Sequence, residues 1–291
     1  MSLIELTIPA READIGTFRV HRLLPYRNRR MVGPFIFLDH MGPAELGIGE
    51  GMDVRPHPHI GLATVTYLFD GEIIHRDTLG SNQLITPGDV NWMTAGSGIS
   101  HSERTGAAER THLHRVHGLQ SWVALPKECE EKGAEFFHHG REVLPLAERN
   151  GVQLKIIAGE AYGSLSPVTT YSPLFYVEAR MQPGSKLELP ENYTERAVYV
   201  IAGRVRVGNT VIEPLTLPVF MPDGQVRLEA DSDAHIILLG GEPLPEKRFI
   251  WWNFVSTSRE RIEQAKHDWQ EGRFGKIPGD ETEYVPLPPD Y

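Results

Sequence analysis

The chain has 291 residues, a formal net charge of −10 and a single cysteine, Cys129. An acidic chain whose densest basic run is the four residues Arg27 to Arg30 lacks the basic stripe of a nucleic-acid binder. No apolar run approaches the ~20 residues of a membrane-spanning helix. One cysteine allows no intramolecular disulfide, and "MSLIELTIPAREADIG" has no basic start followed by an apolar core, so the expected compartment is a reducing cytoplasm.

Short β-like runs separated by turn residues are expected from about Thr17 to about Gly240. Asp53 to His59, "DVRPHPH", reads as a strand stiffened by Pro56 and Pro58. Prolines remove ladder donors and suit a sheet edge or a barrel mouth. "ATVTYLF" at Ala63 to Phe69, "GDVNWMT" at Gly88 to Thr94 and "GLQSWVAL" at Gly118 to Leu125 follow, with turns at "FDGE", "TPGD" and "LPKE". "TVTYLFDGEI" has a weak repeat in "AVYVIAGRVRV", an apolar run with a tyrosine that closes on Gly71 in one copy and Gly203 in the other. Setting those glycines opposite each other places Leu189 against His57 and Glu191 against His59. This reads as two similar β-barrels split near residues 130 to 165. A helix from about Ser258 then closes the chain, with Ser256 or Ser258 as its cap. Ile262, Ala265 and Trp269 form its apolar stripe, and Gly272 is its stop.

Two pairs of side chains carry chemistry. His57 and His59 are two apart, so a strand projects both from one face; His101 and Glu103 in "TAGSGISHSERT" have the same spacing. Two antiparallel strands lying across from each other would present three imidazoles and one carboxylate to one point. That donor set suits Fe, Mn, Co, Ni, Cu or Zn, and without a nearby thiolate it is not the usual structural zinc site. Either pair alone is a weak signal; a polar barrel mouth without metal, or a metal serving stability alone, are the competing readings. His112, His114 and His117 read as ordinary strand residues. His138 and His139 read as solvent-facing on opposite faces, and Trp251 and Trp252 as packing residues.

"RPHPHIGLATVTYLFDGE", "TPGDVNWMTAGSGISHSE" and "HRVHGLQSWVALPKE" resemble the pirin family of the cupin superfamily. "FLDHMGP" and "RFIWWNFVSTSRERIEQAKHDWQEGRFG" extend the resemblance over nearly the whole chain. It implies an all-β fold of two tandem cupin (double-stranded β-helix, or jelly-roll) barrels with a C-terminal α-helix. The division it suggests is 1–135 for a metal-binding cupin domain, 136–165 for a connecting segment and 166–291 for a degenerate cupin domain with the closing helix. It also implies one metal per chain, in the first barrel only, on His57, His59, His101 and Glu103, with Fe(II) first among the candidates. The chain departs from a common cupin pattern at Ala63, four residues after His59, where a glutamate often stands. Unbroken alternation from His59 would aim that position inward.

Four protein ligands on an octahedral ion leave up to two open positions. The resemblance implies dioxygenation of a flavonol such as quercetin or a related enolic molecule, with O₂ as co-substrate and Glu103 accepting the substrate hydroxyl proton. The alternative is a non-enzymatic, iron-binding, redox-sensitive regulator that binds a transcription factor or metabolic enzyme. The acidic charge favours a protein partner over DNA.

Overall fold

The computed structural model describes residues 3–15 and 18–289; Thr17, where strands are expected to start, lies outside them. The described residues form 25 strands, two short 3-10 turns and one α-helix, Arg259–Gln270. The expected all-β fold with a single late helix is therefore observed. Strands begin earlier than expected, at Ile4–Pro9, which gains its ladder from Thr216–Phe220 in the far half of the chain. A partner so distant in sequence leaves no local signal.

Two compact units are assembled from interleaved segments. One comprises Met1–Arg11, His21–Leu38 and Glu142–Leu244; the other comprises Glu12–Val20, Asp39–Arg141 and Pro245–Tyr291. The first unit contains an eight-stranded sheet and a four-stranded sheet built from Lys186–Glu188, Arg227–Ala230, Val205–Val207 and Thr210–Ile212. The second carries the other four-stranded sheet, in the order Asp53–His59, Ile99–Arg104, Ile73–Asp77, Asn82–Ile85. It faces a larger sheet that contains Glu135–His139, Val90–Thr94, Leu62–Asp70 and His114–Ala124 as successive neighbours. Residues 136–165 hold part of the edge strand Glu135–His139 and all of Val152–Ala161, which lies inside the eight-stranded sheet.

The internal repeat has a steric basis. Gly71 and Gly203 both adopt the left-handed region, at φ +81° and +77°. A Cβ at Gly71 would fall on the carbonyl oxygen of Arg115, and one at Gly203 on that of Asp233. Each turn thus needs glycine twice over, for its dihedral and for the passing strand. The two copies differ in what fills the barrel. Leu189, set against His57 by the repeat, joins an apolar cluster with Val198, Val200, Val205, Leu228 and Ile236.

The helix Arg259–Gln270 is capped by Ser258, whose hydroxyl accepts from the Arg261 N–H. It buries Ile262 and Ala265 against Ile60 and Phe254, with Trp251, Trp252 and Trp269 packed around them. Trp251 and Trp252 are packing residues, as expected. The helix therefore packs on the unit that holds the His57 strand. The segment before it is tied down by Glu130, which accepts from the Thr257 N–H and hydroxyl and pairs with Arg248 at 3.1 Å. The Arg248 side chain is 0% exposed and that of Glu130 5%.

A buried cation left without its partner is costly, typically about 3–5 kcal/mol. Glu130→Ala is expected to lower the unfolding free energy, measured by urea denaturation, by up to that much, because Arg248 then keeps only Glu246 at 3.6 Å. Removing Arg19 from its exposed pair with Glu12 is expected to cost less than about 1 kcal/mol. Equal effects in the two variants would contradict this account.

Candidate metal centre

The Ile99–Arg104 strand lies between two others and carries His101 and Glu103. On one side it pairs antiparallel with Asp53–His59, which sets His101 directly opposite His57. On the other it pairs with Ile73–Asp77, which sets His101 opposite Asp77 and Glu103 opposite His75. The Asp53–His59 strand is the sheet edge, where its two prolines leave no ladder bond unmade. A register shift between His101 and Glu103 marks a bulge near Arg55 and Pro56.

His57, His59 and His101 converge as expected: one ring nitrogen from each lies within 4.8 Å of the others. The ring centroids of His57 and His59 are 4.4 Å and 5.0 Å from that of His101. Glu103 joins through a second, overlapping group of the same spacing, formed by His75, His101 and Glu103. His101 is the shared member. The two groups adjoin through it, with His75 as a fifth residue. All are nearly enclosed: His57 is 8% exposed, Glu103 6%, His75 2%, and His59 and His101 1% each.

The larger sheet supplies the opposite wall. Thr66 Oγ1 donates to Glu103 Oε1 at 2.8 Å and lies 2.9 Å from the Gln120 side-chain amide. Trp122 meets the His59 ring edge-on at 5.1 Å, and Phe136 stacks on His75 at 4.2 Å. Thr66 therefore marks the site-facing side of its strand, and Thr64 shares it by alternation. Ala63 lies on the opposite face of that strand. The alternation from His59 is broken at Gly61, which takes φ +68° and passes against the Val255 carbonyl. Position 63 does not aim into the pocket, so the expectation of a lost inward carboxylate does not hold.

Hydrogen bonds behind the rings orient them. His57 Nδ1–H donates to the Arg55 carbonyl at 2.8 Å, which leaves Nε2 as the lone-pair nitrogen. Nε2 of His59 and of His101 are buried without a hydrogen-bond partner. Buried nitrogens without partners are costly unless something fills the space between them. A divalent cation fits, because it takes lone pairs from neutral imidazoles and offsets a buried carboxylate.

Desolvation sets the charge states. Burial pushes His57 down to about 4, against a smaller upward pull from the Arg55 carbonyl. Burial likewise lowers His59 and His101 well below the usual imidazole range, with neighbouring imidazoles adding to it. Burial raises Glu103, and His75 and Thr66 oppose that only in part. Neutral imidazoles are the ligating form, so the pocket keeps its donors ready well below neutral pH.

His75 and Asp77 are the site residues that the sequence reading missed. "HRD" at positions 75 to 77 has the same i, i+2 spacing as His57/His59, so a signal was present. Other histidines also depart from expectation. His112 lies outside any strand and is largely exposed. By contrast, His114 and His117 lie in the strand His114–Ala124, as expected, and His117 Nε2 sits 2.8 Å from His40 Nε2. His138 and His139 are half-buried rather than solvent-facing, and His138 Nδ1 bonds Asn91 Oδ1 at 2.8 Å, because their strand lies along Val90–Thr94.

The model of the family described as Pirin matches residues 17–123, and that of the Pirin C-terminal cupin domain matches 176–275. The chain belongs to the pirin family. It is 52% identical to a pirin-like protein of Caulobacter vibrioides, over 98% of this chain and 100% of that one. It is 32% identical to human pirin, over 94% and 93% of the two chains. Among solved structures it resembles a quercetin 2,3-dioxygenase from Acinetobacter baumannii. The TM-score is 0.90 and the identity 34%, over 98% of this chain and 96% of that one. The fold is the cupin-type pirin fold, with an N-terminal and a C-terminal cupin domain.

Lowered imidazole values make stability depend on pH with a definite sign. Below about pH 6.5 the unfolded chain takes up protons on these histidines and the native pocket does not, so stability falls as pH falls. For His57 the loss continues to about pH 4. Each such imidazole contributes up to about 1.4 kcal/mol per pH unit across its window. Glu103, being raised, acts oppositely, but three imidazoles outweigh one carboxyl. Chelator-stripped protein is expected to melt at progressively lower temperature from pH 6.5 to 5, and His59→Ala to show a shallower dependence. A melting temperature independent of pH over that range would contradict the assignment.

Proposed function

We propose that this pirin is a metal-dependent dioxygenase acting on quercetin or a related enolic small molecule. In this reading His57, His59, His101 and Glu103 hold one divalent ion. The observation that carries it is the pair of buried, unpartnered Nε2 atoms on His59 and His101, set beside His57 and an enclosed carboxylate. Fe(II) is the first choice; Mn, Co, Ni, Cu and Zn also suit the nitrogen and oxygen donor set. The similar structure that bears the name quercetin 2,3-dioxygenase supports the substrate class. When bound, the ion supplies Lewis acidity towards a substrate hydroxyl and O₂.

The chain's own residues handle orientation and the proton. Thr66 engages Oε1 of Glu103, so Oε2 is the atom that accepts the substrate hydroxyl proton. Trp122 and Phe136 wall the pocket with apolar surface and keep bulk water off the imidazoles. Such enclosure supports an enzyme over a redox-sensitive regulator, whose metal would face a protein partner. A reducing cytoplasm would keep iron in the ferrous state.

Protein purified without added metal is expected to hold close to one transition-metal ion per chain by elemental analysis. His59→Ala should lose most of it while keeping its far-ultraviolet spectrum, because both units have apolar cores of their own. Two tightly held ions per chain, or an unfolded variant, would contradict this.

Glu103→Gln keeps the side chain's size and removes both the charge and the base. O₂ consumption with quercetin, measured with metal supplied in excess, is expected to fall by about 10²–10⁴-fold. Equal rates in wild type and variant would remove Glu103 as the base. Wild-type inactivity with several metals and enolic substrates would favour the regulator.

A further inference from the structure

Asp77 and His75 have no part in the reading above, yet they lie directly behind His101. Asp77 is fully buried, and each of its oxygens has a separate task. Oδ1 accepts from the backbone N–H groups of Leu79 and Ser81, at 2.9 Å and 3.0 Å. Oδ2 lies 3.0 Å from His75 Nε2. The other nitrogen of that ring, Nδ1, lies 3.4 Å from Nδ1 of His101. Phe136, stacked on His75 with 11° between the planes, fixes the ring's orientation.

We propose that Asp77 and His75 are positioning residues that set the tautomer of His101 so that its Nε2 lone pair faces the metal. The inference rests on the metal reading above. An ionised carboxylate can only accept, so a His75 ring with one proton carries it on Nε2. Its Nδ1 is then an acceptor, and His101 must donate from its own Nδ1–H. This leaves the lone pair of His101 on Nε2, its buried unpartnered nitrogen, and His101 is grouped with His57 and His59. His57 reaches the same tautomer through a single carbonyl, that of Arg55. His101 reaches it through two hydrogen bonds that end on a negative charge, which also makes it the stronger donor.

The two roles of Asp77 make Asp77→Asn an unusually clean test. The Leu79 and Ser81 N–H groups require an oxygen at the Oδ1 position. The new NH₂ must therefore take the Oδ2 position and donate to His75 Nε2. His75 then carries its proton on Nδ1 and donates to His101 Nδ1, which moves the His101 proton to Nε2 and blocks the ligating atom.

Two measurements on chelator-stripped protein decide the matter. Two-bond ¹H–¹⁵N correlation of imidazole-labelled protein is expected to show His101 protonated at Nδ1 in wild type and at Nε2 in Asp77→Asn. Titration with Co(II) is expected to give a Kd about 10–100-fold weaker in the variant. A wild-type His101 protonated at Nε2 overturns the proposal without any variant, and so it stands or falls even if Asp77→Asn does not fold. A folded variant with unchanged Kd also overturns it. If wild type binds no Co(II), the metal reading fails, and the wild-type tautomer still tests the relay.

Discussion

The site depends on the Ile99–Arg104 strand having a neighbour on each side. A strand with two partners can place one side chain between two others at cross-strand distance. His101 lies in such a row, with His57 on one side and Asp77 on the other. Glu103 lies in the next row with His75 across from it. Slipping this strand by one residue would turn Ser100 and Ser102 inward and send His101 and Glu103 to the opposite face. The arrangement is therefore all or nothing, and the pairing on both sides is what holds it in place.

Electrostatics then explain why so polar a cluster sits inside a barrel. Five ionisable side chains in one enclosed pocket cannot all be charged there. Desolvation lowers three imidazoles and raises Glu103, so it works against charge on all four. The metal-free pocket is thus short of positive charge and rich in lone pairs. Asp77 is different: burial works upward on it, yet His75 and Ser81 hold it below the usual carboxylate range. Its charge is held by hydrogen bonds from within the protein.

The second barrel shows how little of this belongs to the fold. It repeats the strand and the glycine turn, with the same left-handed dihedral and the same close approach to a carbonyl. Its interior is closed by Leu189 and its apolar neighbours. Hydrophobic contact accounts for that barrel's stability, so the architecture tolerates a site without requiring one.

The sequence by itself determined the strand-rich class, the repeat, the capped helix and the facing of the His57/His59 and His101/Glu103 pairs. Each of these follows from local chemistry: residue spacing against a period of two or 3.6, a glycine where no Cβ fits, a serine where a helix begins. What lies beside what was decided only by tertiary structure. The pairing of Ile4–Pro9 with Thr216–Phe220 and the packing of the late helix on Ile60 join segments far apart in the chain. Ala63 was misjudged for a related reason, since parity carries only along an unbroken strand and Gly61 breaks it. His75 and Asp77 showed the right spacing but could not be placed behind His101. The strand that comes next to another is chosen by burial summed over the whole chain, and no local pattern records that sum.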